Sequence, residues 1–278
     1  MKKINPDNFG LESVVDYADM ARECEVDLNK SLPPPPIALS IGTHLYKGSQ
    51  YPTPFGTYGN FSCLVGQSKS LKTFLKSALV ASYIGGQANN YFPGFRGHST
   101  KGKMVIDIDT EQSIWHTQRV ALRTTEMVGG QPEFYKAFST RKYTARERFE
   151  FVQWVLMESA WKNRIGLIVV DGAADITDSV NDLDLANQIV QGMLQWTEVR
   201  KCHLLTVLHA NAGSRKPTGH LGSAITKKAE AVAYVQKDLD IVTVTPDFTR
   251  NYGWEEFTFQ VNEDALPYLT SENQENPF

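Results

Sequence analysis

Lys72 and Thr73 open an apolar helical segment shortly after Gly66 closes the apolar run Phe61-Ser-Cys-Leu-Val-Gly66. A glycine, a lysine and a hydroxyl spaced this way between a strand and a helix give the layout of a phosphate-binding loop, G-x-x-x-x-G-K-[ST]. The spacing follows from the chemistry. Successive backbone N–H groups and a helix N-terminus wrap the β- and γ-phosphates. The lysine adds a point charge, and the threonine hydroxyl is placed to hold Mg²⁺. Gln67, Ser68, Lys69, Ser70 and Leu71 fill the loop. Leu71 stands where the second glycine usually stands, so the backbone there must tolerate a Cβ. Lys69 is an extra positive charge that can add a phosphate contact or reach a neighbouring subunit.

Three further groups fit the same chemistry. The apolar strand Met104-Val-Ile-Asp-Ile-Asp109 runs into Thr110-Glu111. Beside the P-loop strand, Glu111 is placed to polarise a water for attack on the γ-phosphate. Alternatively it is an acidic residue in the first turn of the next helix. The run Ile165-Gly-Leu-Ile-Val-Val170 ends in Asp171, four apolar residues and an acid. That carboxylate is expected to hold Mg²⁺ through water, although many buried strands end in Asp. The strand Leu204–Leu208 ends in His209, which either faces and senses the γ-phosphate or is satisfied by backbone.

Composition narrows the class. The chain has 278 residues, enough for one large α/β domain or two small ones, and its 41% hydrophobic content is that of a water-soluble globular protein. No apolar run approaches the roughly 18 residues that span a membrane, and the N-terminus lacks the apolar stretch of a signal peptide. Cys24, Cys63 and Cys202 are scattered. They suggest neither a disulfide framework nor a metal site, so the expected compartment is a reducing cytoplasm. The net charge of −3 and pI of about 6.1 argue against a large basic surface that coats DNA, but not against a narrow basic channel assembled in an oligomer. The histidines show no ligand spacing, and no G-x-S-x-G elbow is present.

Periodicity predicts the elements that position these groups. An amphipathic helix is expected over 11–30, with Leu11, Val14, Val15, Ala18 and Ala21 at helical spacing, followed by the stiff run Pro33–Pro36. Short strands and turns are expected over 37–60, and helices over 72–84, 113–127, 146–162, 182–200 and 221–230. Residues 85–103 and 129–145 read as loops, and strands close the chain near 231–236, 240–245 and 255–261. Strands alternating with helices imply an α/β fold with a mostly parallel sheet covered on both faces. In such sheets ligands collect at the carboxyl ends of the strands.

The order of motifs resembles the RecA-like ATPase core. Val105-Ile-Asp-Ile-Asp-Thr-Glu111 is similar to the "IDTE" segment of the recombinase branch. Val207-Leu-His-Ala-Asn211, then Gly219-His-Leu-Gly-Ser-Ala-Ile225 and Ala229-Glu-Ala-Val-Ala-Tyr-Val235, is similar to the helicase branch. The stretch 241–253, with Phe257-Thr-Phe259, resembles the closing hairpin of DnaB-type and RepA-type hexameric helicases. The lead-in Pro33–Gly42 and the loop 66–73 also resemble those of RepA-like ATPases from bacterial mobile elements and phages. The likeness covers about residues 37–269.

This resemblance implies a RecA-like P-loop NTPase core over 37–278 with a C-terminal antiparallel hairpin, preceded by an N-terminal helix and Pro-rich linker over 1–36. It implies a Mg²⁺-dependent ATPase, in the first place a hexameric replicative helicase of a mobile element or phage. The alternatives are a recombinase-like filament or loader, and an ATP-dependent regulator that does not unwind. Arg250-Asn251 matches the R-N of the family's arginine-finger hairpin, while Phe248 replaces its lysine and Lys237 can supplement it. A finger acts on a neighbour's nucleotide, so the resemblance implies a homo-oligomer, a ring in the first instance. Single-stranded DNA is expected to pass Arg141 and Lys142, with Tyr143 for stacking, and Arg215 and Lys216. Either basic loop can equally be a solvated surface turn.

Overall fold

The computed structural model describes residues 16–250 and 252–270. The chain divides into two units between Pro34 and Pro35. In the first, α1 (Tyr17–Cys24) is capped by the Asp16 carboxylate, which accepts the N–H groups of Ala18 and Asp19. Leu11, Val14 and Val15 of the expected helix lie outside the described residues, and the helix stops at Cys24 instead of running to 30. Ala18 and Ala21 are exposed. A short helix with no buried stripe propagates poorly, and Glu25 and Asp27 oppose the helix dipole at its C-terminal end.

The second unit begins with a hairpin, β1 (Ile37–Tyr46) and β2 (Ser49–Thr57), turning at Lys47 and Gly48, both at positive φ. Positive φ at both turn residues suits the right-handed twist of paired strands, so the strands are longer than the short pieces expected. Then come β3 (Phe61–Gly66), α2 (Lys72–Ile84), β4 (Phe95–Gly97), β5 (Met104–Asp109) and α3 (Ile114–Val128). They are followed by β6 (Tyr135–Ser139), α4 (Ala145–Met157), β7 (Ile165–Asp171), α5 (Leu183–Arg200), β8 (His203–His209) and α6 (Gly219–Lys228). The chain closes with β9 (Ala231–Asp238), β10 (Ile241–Thr249), β11 (Phe257–Val261) and β12 (Pro267–Leu269). Both segments read as loops carry a strand. β4 pairs with β1, and β6 pairs with β5 in parallel. β12 extends the C-terminal hairpin.

The nine-stranded sheet has the order β12-β11-β10-β9-β3-β8-β7-β5-β6. From β9 to β6 the neighbours are parallel, and β10 to β12 add antiparallel strands. One face packs against α2 and α3 through Leu75, Leu79 and Met127, and the other against α4 to α6 through Val152, Met193, Trp196 and Ile225. This is an α/β fold with helices on both faces.

β5 does not lie beside the P-loop strand, contrary to the sequence expectation, because β8 and β7 stand between them. The reason lies in what each strand can bury. β7 and β8 are apolar on both faces, with Leu167, Val169, Leu205 and Val207 in one core and Ile168, Val170, Leu204 and Leu208 in the other. β5 carries Asp107 and Asp109 on its α2 face, so it is less suited to the centre. Among the described residues no helix is long and apolar enough to cross a membrane.

Candidate functional site

Strand parity brings the polar residues together. Side chains alternate along a strand, so Gly66, Asp109, Asp171 and His209 fall on the α2 face with Leu64, Val105, Val169 and Val207. Register sets them in two successive rows, since Asp171 pairs with Val207 and His209 lies two residues further on. Gly66 pairs with His209, and Asp109 with Asp171. All four sit at the carboxyl ends of parallel strands.

The loop after Gly66 is a built turn. Lys69 and Leu71 take positive φ of 65° and 66°. Leu71 thus adopts the left-handed conformation that a glycine would take freely, at a cost of about 1–2 kcal/mol. Gly66 cannot be larger, since an added Cβ would run into the Val235 carbonyl. Leu71 supplies no side-chain cap to α2, so the helix N-terminus is left for an anion. The Lys72 ammonium folds back into the loop and donates to the carbonyls of Gly66 at 2.8 Å and Gln67 at 2.7 Å. Burial pushes its pKa down to about 8, against the pull of Glu111 and Asp171.

The acidic side is built by Asp109. Its Oδ1 accepts the N–H groups of Glu111 at 3.0 Å and Gln112 at 2.8 Å. This turn carries Glu111 over to His209, where Oε1 and Nε2 lie 2.9 Å apart. Both side chains are about half exposed. The His209 contact holds the Glu111 carboxyl below its ordinary range, with burial opposing. The Thr110 hydroxyl donates to the Asp171 carbonyl at 2.8 Å and ties this turn to β7. Lys72, Thr73, Glu111, Asp171 and His209 line one cavity of about 280 Å³. The sequence nominated all five.

No family model matches the sequence, and no curated protein matches it. Among solved structures 725 chains match. One is the crystal structure of the RadB recombinase, at a TM-score of 0.50 and 15% identity, covering 76% of this chain and 91% of that one. The fold is RecA-like.

In this RecA-like frame Thr73 and Asp171 fit a magnesium ion. A hydroxyl and a carboxylate are the hard oxygen donors Mg²⁺ takes when substrate phosphates supply the rest. Asp109 Oδ2 and Asp171 Oδ2 are buried without a hydrogen-bond partner, though the latter has an ammonium 3.3 Å away. Burial pushes Asp171 up to about 6, with Lys76 pulling it back.

The remaining nominated residues lie elsewhere. Arg250 follows Thr249, which pairs with Ala231, and Ala231 pairs with Ser62 near the start of the P-loop strand. It therefore sits toward the opposite end of the sheet from Lys72, and its guanidinium donates to the Lys228 carbonyl at 2.7 Å. Within this chain it is not part of the cavity. Arg215 and Lys216 lie in a turn closed by an Ala210–Pro217 bridge. Arg215 packs over the Tyr234 ring at 4.8 Å and faces a second cleft with Gln67, Ser68, Lys69, Ser70 and Lys237. Arg141 and Lys142 are exposed after the edge strand β6, and Lys142 lies over Tyr143 at 5.0 Å. Both basic turns follow the carboxyl ends of strands.

Sequence reasoning missed three participants. Arg123 lines the cavity, lies 3.6 Å over the Phe74 ring and donates to the Ala265 carbonyl. Burial, then Arg119, pushes it down to about 10. Lys76 and Asp107 form a buried ion pair beneath Asp171. The sequence marks each of the two as unusual but does not show that they are partners. Lys76 falls one turn after Lys72 on the apolar face of α2, and Asp107 interrupts an apolar strand. A buried charge demands a partner.

Proposed function

We propose that this chain is a Mg²⁺-dependent ATPase that works as a homo-oligomer on single-stranded DNA, with 37–278 as the ATPase domain and 1–36 as an N-terminal helix and linker. The contact between Glu111 and His209 at the mouth of the loop cavity carries the reading. It joins a carboxylate kept ionised at neutral pH to a side chain on the strand next to the P-loop strand.

In this reading the loop amides 67–73 and the Lys72 ammonium bind the β- and γ-phosphates, leaving the carbonyls that now hold Lys72. Thr73 and Asp171 hold Mg²⁺, which supplies charge neutralisation on the phosphates. Glu111 orients a water and takes its proton as the water oxygen bonds to the γ-phosphorus and the bond to the β–γ bridging oxygen breaks. His209 meets the γ-phosphate and couples its presence to the turn 210–217, where Arg215 and Lys216 contact DNA. Arg141 and Lys142 add a second DNA contact. Arg250 acts on the nucleotide of the next subunit, consistent with its position outside its own cavity.

The finer reading is a hexameric replicative helicase of a mobile element or phage, supported by the motif order after β8. The likeness to the RadB recombinase supports a second, a recombinase-like filament or loader. ATP turnover with and without single-stranded DNA, beside Lys72→Ala, tests the common core. Stimulation by DNA that vanishes in the variant supports it, and turnover that ignores DNA sinks the motor in favour of a regulator. Strand displacement on a forked duplex then separates helicase from recombinase.

A further inference from the structure

Lys76 lies one helical turn beyond Lys72 and is almost wholly buried, its side chain 1% exposed. Its ammonium is 3.0 Å from both oxygens of Asp107 on β5 and 3.3 Å from Asp171 Oδ2 on β7. The Tyr135 hydroxyl donates to Asp107 Oδ2 at 3.1 Å from the edge strand β6. Asp107 is therefore held from two sides, and it anchors the lysine. Asp171 receives only the ammonium, without hydrogen-bond geometry, and still lines the cavity with Thr73.

Stability does not account for this arrangement. Each buried ion costs several kcal/mol to desolvate, and well-packed apolar side chains do as well or better. A leucine at position 76 would continue the face formed by Leu75 and Leu79. What the lysine does that a leucine cannot is place a positive charge between two carboxylates that share one face of the sheet.

We propose that Lys76 is a positioning residue for Asp171: anchored on Asp107, its ammonium holds the Asp171 carboxylate where it takes the Mg²⁺ of the nucleotide. The proposal rests on the ATPase reading. Without Lys76, Asp171 faces Asp107 and Asp109 with no counter-charge behind it and loses its fixed orientation. Groups that orient a metal ligand from behind typically matter about 10- to 100-fold in metal affinity or activity.

The test is the double variant Lys76→Met/Asp107→Leu of the full chain, which removes both charges together and so spares the core an unpaired ion. Its kcat is expected to fall about 10- to 100-fold, with KM for ATP within about threefold of the parent. Thermal melts give a second readout. The shift caused by ATPγS in EDTA should persist, while the additional shift on adding Mg²⁺ should shrink. A folded double variant with parental kcat and parental Mg²⁺ response overturns the proposal and leaves the pair a packing feature. Should the double variant not fold, Asp107→Asn decides. It keeps the acceptor for Tyr135 but removes the charge that anchors Lys76, so the ammonium no longer holds Asp171 in place and the Mg²⁺ concentration for half-maximal turnover should rise about threefold or more. No change there overturns the proposal equally. A parent that neither turns over ATP nor responds to Mg²⁺ sinks the ATPase reading first, an outcome distinct from either of these.

Discussion

β8 carries a histidine at each end, and the two do opposite things. His203, at the amino end, is fully buried, with Nδ1 donating to the Thr57 carbonyl at 3.0 Å. An added Cβ at Gly56 would run into its ring. His209, at the carboxyl end, is about half exposed and meets Glu111. The surroundings follow the same division. At the amino end buried Glu230 accepts from the Thr57 N–H at 2.7 Å and from its hydroxyl at 2.9 Å, so polar groups are paired through Thr57 and lock the β1–β2 hairpin to the sheet. At the carboxyl end Asp109, Asp171 and His209 each keep a buried polar atom without a hydrogen bond; His203 Nε2 does so at the amino end, but there Gly56 closes over the ring, whereas Asp171 and His209 line the open cavity. Buried polar groups left unpaired are costly. One end of the sheet is built for closure, and the other keeps capacity for something that binds.

The sharpest way to break this comparison is to remove charge at the carboxyl end without touching the fold. Glu111→Gln keeps the size and an acceptor for His209 but removes the base. We expect kcat to fall about 10²- to 10⁴-fold, with nucleotide binding retained and stability within about 0.5 kcal/mol, since the pair is half exposed. Single-turnover ATP hydrolysis and a urea melt check both halves. A stability loss as large as the catalytic one would place Glu111 with the structural end.

The amino end answers to pH instead. Burial pushes His203 down to about 4, while an unfolded histidine titrates near 6.5. The unfolded chain therefore binds more protons between these values, and stability that is full above about 6.5 is lost as pH falls toward 4, by about 3 kcal/mol from this group. Asp171, raised to about 6, works in the other direction over part of the same range. The check is therefore a difference: urea melts of the parent and His203→Leu between pH 7 and 4. The parent should lose about 3 kcal/mol more than the variant. Parallel curves would mean His203 is not held neutral. A smaller effect is expected for Glu230→Leu, which strands the buried Thr57 N–H and should cost about 2 kcal/mol while leaving kcat at saturating ATP unchanged.

This division also explains what the sequence made legible. Residues at the carboxyl ends of apolar strands announce themselves, because an acid or histidine directly after four or five buried residues has little to do with the core. Glu111, Asp171 and His209 were read this way, and the cavity unites them. The helix 72–84 was read to the residue, because its start is fixed by the loop and its end by Gly85. The hidden pieces are those whose partners lie far along the chain. Lys76 needs Asp107 and Asp171, and Glu230 needs Thr57, 173 positions away. Sheet order was hidden too, since β5 follows α2 in sequence but is separated from β3 by two strands in space. β6 escaped because an edge strand need not be apolar, and Tyr135-Lys-Ala-Phe-Ser139 carries no clear alternation.

Leu71 sits at the boundary between the two kinds of construction and gives the smallest expected effect. Its φ of 66° places a branched side chain in the left-handed region, where the Cβ crowds the following carbonyl. The residue nonetheless packs against the α2-face core. Leu71→Gly relieves about 1–2 kcal/mol of strain but gives back about 0.5–1 kcal/mol in unfolded-state entropy and loses part of an apolar contact. The net change in stability should be within about 1 kcal/mol of zero. Nucleotide affinity tests the same strain differently. If the loop is already held in its phosphate-binding shape, as a left-handed Leu71 and the uncapped α2 N-terminus imply, the glycine adds freedom that binding must remove. Affinity for ATPγS should then fall by about two- to fivefold. An increase in affinity would mean that the leucine holds the loop away from its bound shape, and that the strain opposes binding.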